Sequence, residues 1–260
     1  LEQDSVSNAL ALEALAYGDL SLSMSVSVPL LVAQIISEHG SEEQKGELLP
    51  KLVNGSIFHV GLGINNSLLS TDPYQSDVTA EENGKEIILN GSKTGVAFAN
   101  QANTFLISAS NESDECNLYF INKDQEGVTL EDKDFMGLKG APLSQINLSN
   151  CKINASQKLG GHNYSINYEA FVDSSRIGMS ALALGVCQAV LDYVVPYTNE
   201  RVAFDEPISN RQSVAFMVAD MAIETEALRL MIYKSAALKD LGEDFHKQAS
   251  LTYRFAAHHA

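Results

Sequence analysis

The sequence predicts an α+β chain whose elements run helices, then strands, then helices. Three observations carry this. Apolar residues recur at helical spacing up to residue 55, short β-type runs fill residues 57–153, and the helical period returns after Gly160-Gly161. With 260 residues, 45% of them hydrophobic, the chain is long enough to bury a substantial core. Boundaries are expected at 1–57 for an N-terminal helical domain, 58–158 for a middle β domain and 159–260 for a C-terminal helical bundle.

In order, "NALALEALAYGDLS" reads as a helix stopping at Gly18. "SMSVSVPLLVAQIISEHG" is apolar on nearly all sides, so a helix buried on most faces is expected, with Pro29 starting or kinking it. "SEEQKGELLPKLVNG" opens with Ser41 and Gln44 in capping-box spacing and stops at Gly55. Asn83-Gly84 and Asn90-Gly91 read as hairpin turns, because both pairs tolerate positive φ. "TFLISAS", "CNLYFINK", "GVTLEDKD" and "SQINLSNCKI" follow as strands of a sandwich or barrel. A long helix is then expected through "YTNE", with Gly178 and Gly185 admitting a close neighbour. "RVAFDEPISNRQ" reads as a loop with Ser209 or Asn210 as helix cap, before a second long helix and the start of a third.

Composition narrows the function classes. A formal charge of −16 opposes nucleic acid and anionic membrane as partners. Cys116, Cys151 and Cys187 are far apart and form no CxxC pair, which suits a reducing cytoplasm or mitochondrial matrix. No uninterrupted apolar run reaches the length of a transmembrane segment. The chain opens on Leu1, and an incomplete front and end are expected. Phosphate-binding, nucleophile-elbow and zinc motifs are absent, and the adjacent His258 and His259 face different sides of a helix, so no metal site is expected.

Four phrases supply what motifs do not. "SEHGSEEQKGELLPKLVNGS", "ILNGSKTGVAFANQANTFLISAS", "MGLKGAPLSQINLSNCKI" and "SSRIGMSALALGVCQAVLDYVVPYTNERVAFDEPISNRQSVAFMVADMA" resemble successive landmarks of the acyl-CoA dehydrogenase family, in order and at nearly the family's spacing. The resemblance implies helices, a middle β domain and a C-terminal bundle that assembles homo- or hetero-oligomers, typically a homotetramer. It implies FAD as cofactor, an acyl-CoA substrate, electron-transfer flavoprotein as acceptor, and α,β-dehydrogenation of the thioester. A non-catalytic subunit supporting a partner's flavin and a flavin-dependent monooxygenase on the same fold are the alternatives.

The resemblance also implies site residues. Asn65 and Thr71 fall where the family's flavin-contacting loop lies. Arg201, Phe204 and Gln212 match the Arg-x-x-Phe-Gly loop whose arginine reaches a neighbouring subunit's FAD, with Asp205 in place of the glycine. An ion pair of Arg201 with Asp205 or Glu206 is the plain alternative. Asp173 and Arg176 match a segment near the nucleotide end of CoA, or form a buried structural pair. The family's catalytic glutamate is expected beyond the C-terminal end, and Glu169 is the substitute within the chain. Gly95 and Ala97 stand where the family has tryptophan and threonine against the flavin, so weakened or absent FAD binding is expected unless Asn65 and the backbone take their place.

Overall fold

The computed structural model describes residues 4–54, 60–66, 72 and 74–259. Expectations resting on Gly55 and Thr71 lie outside these residues. By its internal contacts the chain divides into Leu1–Ser23 with Asp173–Ala260, and Met24–Val172. This grouping differs from the three consecutive segments read from texture, because the first helix packs with the last ones.

Within Met24–Val172 the core is one mixed sheet. Its strands are β1 (Val60–Gly63), β2 (Thr79–Asn83), β3 (Glu86–Ala97), β4 (Thr104–Ser110), β5 (Cys116–Asn122), β6 (Val128–Lys133) and β7 (Leu143–Asn154). The order is β1-β4-β2-β3-β7-β6, with β5 on the other edge of β4. One edge of β4 pairs in parallel with β1 over Val60–Gly63 and then with β2 at Thr79. The glycines of β1 follow from packing: a Cβ on Gly61 would stand 2.8 Å from the Phe105 ring, and one on Gly63 would meet Ile107 and Lys93.

Gly84 has φ +64 and turns β2 into β3, as its sequence predicts. Asn90-Gly91 does something else. It lies inside β3, where pairing with β7 slips between Leu89 and Gly91. Gly91 adopts φ +131, and a Cβ there would collide with Asp77 O. The same positive-φ chemistry that suits a turn here makes a β-bulge. The expected four later strands are all present.

The helices follow their sequence signals. Two of them, α1 (Ser5–Gly18) and α2 (Leu20–His39), precede α3 (Glu42–Asn54). Pro29 lies inside α2 rather than at its start. Ser41 and Gln44 exchange bonds reciprocally: Gln44 N donates to Ser41 Oγ at 3.2 Å and Ser41 N to Gln44 Oε1 at 3.0 Å. Such a cap is worth about 1 kcal/mol. Val32, Ile35 and Ile36 of α2 pack with Leu48 and Leu52 of α3 against Leu106, Leu118 and Phe120 of the sheet.

Among the later residues, α4 (Tyr168–Glu200), α5 (Gln212–Asp240) and α6 (His246–His259) are joined with α1 by an apolar cluster containing Ala9, Ile177, Ala181, Leu228, Ile232 and Ala249. Gly185 lets α4 approach α1 closely, since a Cβ there would stand 2.8 Å from Tyr17 N. By length and composition α2 and α4 would each be able to cross a membrane, a criterion that helices packed into a core also meet. The segment between α4 and α5 is more ordered than a loop: it forms the hairpin β8 (Val202–Ala203) and β9 (Glu206–Pro207). Neither Ser209 nor Asn210 caps α5; the N-cap is Arg211, which offers no side-chain bond.

Candidate functional site

The first candidate region lies on β3. Gly95 sits at φ +65, where pairing with β7 slips a second time between Lys93 and Val96. A Cβ on Gly95 would stand 3.4 Å from Asn65 Nδ2. Thr94 N donates to Asn65 O at 3.0 Å, so residue 65 is fastened to β3 by backbone and faces Gly95 by side chain. A tryptophan would need this left-handed backbone, which bulky residues avoid. The glycine and the asparagine therefore go together. Asn65 is exposed, leaving an amide with donors and an acceptor on an open face.

Ala97 is a different case. It is 5% exposed and packs with Phe98 and Ala141, against Met24, Val28, Leu138 and Leu143. A hydroxyl at that position would enter an apolar cluster, so its absence here avoids burying a polar group.

The second region is the β8–β9 hairpin. Phe204 and Asp205 form its two-residue loop with φ +56 and φ +67. Two positive φ values define the turn type that matches strand twist, and aspartate tolerates the left-handed region better than phenylalanine does. Phe204 is 86% exposed yet held from one side: the Arg211 guanidinium lies 4.7 Å from its ring centroid and donates through Nη2 to Ala203 O at 3.3 Å. Strain held in place on an exposed aromatic is a common mark of a working loop. Arg201 opens the hairpin and is exposed; no hydrogen bond or ion pair joins its guanidinium to a described residue. The ion pairs with Asp205 or Glu206 that the loop composition allows are not formed, and Glu206 accepts from Asn210 at 3.4 Å instead. Gln212 is exposed at the first position of α5. The positive end of the α5 dipole lies there, which favours an anion.

Asp173 and Arg176 are one turn apart on α4. Asp173 is 1% exposed; its Oδ1 accepts from Arg176 Nη1 at 3.0 Å and its Oδ2 lies 2.9 Å from His246 Nδ1. Arg176 also donates to Ser250 Oγ at 2.8 Å and lies over the Tyr253 ring. The pair thus fastens α4 to the start of α6. Sequence reasoning missed His246 and Ser250, for they lie about seventy residues away and carry no local signal. Glu169 is exposed in the first turn of α4, where the helix dipole favours a carboxylate.

Comparison with known proteins agrees with this architecture. Family models for the acyl-CoA dehydrogenase N-terminal, middle and C-terminal domains match residues 1–56, 68–151 and 167–260. A probable acyl-CoA dehydrogenase of Bacillus subtilis, YngJ, is 32% identical, covering 98% of this chain and 69% of its own length. Another of Mycobacterium tuberculosis is 32% identical over 92% of this chain. Among solved structures, the glutaryl-CoA dehydrogenase of Mycobacterium smegmatis in complex with FADH2 superposes with a TM-score of 0.84, 27% identity and 98% coverage of this chain. It is matched over 67% of its own length. The chain belongs to the acyl-CoA dehydrogenase family. It spans 63% of the length of the Mycobacterium tuberculosis relative.

Proposed function

We propose that this chain belongs to an FAD-dependent acyl-CoA dehydrogenase that introduces an α,β double bond into an acyl-CoA thioester. The observation that carries the reading is Arg201: an exposed guanidinium without a partner among the described residues, on a strained hairpin beside the start of α5. A planar fork of donors suits a diphosphate. Phe204 and Gln212 would join Arg201 at the diphosphate of a neighbouring subunit's FAD, as the resemblance implies, and separately the Asn65 amide would meet a flavin edge above Gly95. Thr71, outside the described residues, completes the expected set.

The residues present fit the cofactor, because Asn65 occupies the room that Gly95 leaves and Arg201 is uncommitted. Bound FAD would accept the hydride that leaves the β-carbon. The chain's own part is to hold and orient. Asn65 would donate to an acceptor on the ring, Arg201 would neutralise phosphate charge, and the buried strand positions Val96 and Ala97 would support the wall from behind. Asp173 and Arg176 act here by locking α4 to α6, which would set the surface offered to the nucleotide end of CoA. Exposed Tyr193, Phe216, Met217, Ile223 and Leu230 on α4 and α5 support oligomer formation through these helices, and electron-transfer flavoprotein is the expected acceptor.

The test is the visible spectrum of the protein with excess FAD after gel filtration, followed by dye reduction with short, medium, long and branched acyl-CoAs. A flavin spectrum and turnover of one class support the reading; a colourless protein sinks it. A second reading, a subunit that supports a partner's flavin, is favoured by two separate observations: Arg201 is uncommitted, and Gly95 leaves the β3 wall without an indole. It requires co-purification with a flavin-bearing relative, whose flavin content falls with Arg201→Ala.

A further inference from the structure

Behind the Asn65 wall lies a buried cation that no part of the reading above uses. Lys93, on β3, has no solvent exposure. Its ammonium meets three neutral oxygens: Asn66 Oδ1 at 2.6 Å, Ser76 Oγ at 2.7 Å and Ile64 O at 3.4 Å. Three N–H donors face three acceptors, the condition for tolerating a buried ammonium. Burial pushes its pKa down to about 8, with the nearby Cys116 thiol and Asp77 carboxylate acting the other way.

Asn66 is the junction of this network. Its Oδ1 also accepts from Asp77 N at 3.0 Å, and its Nδ2 donates to Gln75 O at 2.7 Å. Both faces of the amide are therefore used in one orientation only. Ser76 Oγ donates to Ser108 O at 2.9 Å and accepts from Val78 N at 3.1 Å. The chain on both sides of residues 67–73 is thus drawn to one point under β3.

We propose that Lys93 is a positioning residue for the cofactor wall: it clamps residues 64–66 and 75–77 to β3, and so presents the Asn65 amide over Gly95. The argument is geometric. Asn65 is held by its own carbonyl on Thr94, while the carbonyl before it and the side chain after it both end on the Lys93 ammonium. Removing that ammonium leaves Asn66 Oδ1 with Asp77 N and Ser76 Oγ with Val78 N as donors, but of the three bonds described between residues 64–66 and β3 only that from Thr94 N to Asn65 O is kept. The functional consequence rests on the FAD reading above; the clamp itself does not.

The test compares the whole chain with Lys93→Met, which keeps the apolar stem and removes the donors. Ser76→Ala, which removes one acceptor, serves if Lys93→Met does not fold. Amide hydrogen exchange is followed at Asp77 and Thr94, with Leu106 on β4 as reference, and FAD affinity is followed by fluorescence titration. The expected result is exchange about tenfold faster at Asp77 and Thr94 with Leu106 unchanged, FAD affinity lower by about tenfold, and partial rescue of both by Lys93→Arg. Unchanged exchange at Asp77 and Thr94, or equal acceleration at Leu106, overturns the proposal. So do accelerated amides with wild-type FAD affinity, since the clamp would then position nothing the cofactor uses. Failure of the wild-type chain to bind FAD at all is a different result: it sinks the functional reading, whatever the amides do.

Discussion

Lys93 and Arg201 carry the same charge in opposite settings. Lys93 is out of solvent and its donors are matched by oxygens from Ile64, Asn66 and Ser76, whereas Arg201 stands exposed with no partner among the described residues. A buried cation without such acceptors would be intolerable, so its neighbours are fixed by the fold. An exposed one imposes no such demand, and its geometry is free to serve a ligand. The contrast teaches where to look for function in this chain: an uncommitted charge on a strained hairpin points to a ligand, and a committed one shows what must stay still behind the site.

The comparison breaks most severely at the bulge that shapes the buried side. Gly91→Val is expected to destabilise the protein by about 3 kcal/mol or more in urea unfolding, because a Cβ at φ +131 meets Asp77 O and stands 2.9 Å from Val78 Cα. Near-native stability would show that the residues around Lys93 are far less fixed than the network implies. Arg201→Ala is the converse. Unfolding midpoints are expected to stay within about 0.5 kcal/mol of wild type, while FAD affinity drops roughly tenfold to a hundredfold with the lost charge-assisted bonds. A large stability loss with unchanged FAD affinity would make Arg201 a structural residue.

The third prediction uses pH. The folded pKa of Lys93, about 8, lies below its ordinary 10.5, so above pH 8 the folded chain releases a proton that the unfolded chain keeps. Stability therefore rises with pH from about 8. Burial raises the Cys116, Cys151 and Cys187 thiols above 9.0, Cys151 to about 11, and it raises the Tyr168 phenol beside Cys116 as well. Above pH 9 the unfolded chain loses those protons first, and the trend reverses. Denaturant midpoints between pH 8 and 9 should climb by at most about 1.4 kcal/mol per pH unit, and Lys93→Met should abolish the climb. A flat wild-type profile would contradict the buried, charged setting of Lys93.

The smallest effect belongs to the hairpin. Asp205→Gly, which places the family's own residue at φ +67, is expected to stabilise the protein by about 0.5 to 1 kcal/mol. Loss of stability would mean that the Asp205 side chain supports the turn more than its backbone strains it.

These regions also show what a sequence discloses. The capping box at Ser41 and Gln44 was legible because both partners lie within four residues and their chemistry is local. The close approach at Gly185 was legible because a glycine in an apolar helix has few other uses. Asn90-Gly91 misled, since its tolerance of positive φ serves a bulge as well as a turn. Lys93 passed unnoticed although it shares the alternation of the buried Ile87 and Leu89; its acceptors come from residues 64–76, and no local pattern announces them. The Asp173–His246 contact was hidden for the same reason. Arg201 was found through the resemblance, but that its acidic neighbours leave it alone follows from the folded hairpin, which no local pattern announces.

The pairing of α1 with α5 and α4 has a consequence during synthesis. Ala9 is buried in a cluster with Ile177, Ala181, Leu228, Ile232 and Ala249, and Ala16 lies against Gly185, while Met24–Val172 forms a compact unit of its own. At roughly 5–20 residues per second, the ribosome needs on the order of ten seconds or more to supply α5 after α1 has emerged. For that interval the first helix is an apolar segment without its packing partners, exposed to chaperones and proteases. The growing chain is thus vulnerable along α1 until α5 has followed it.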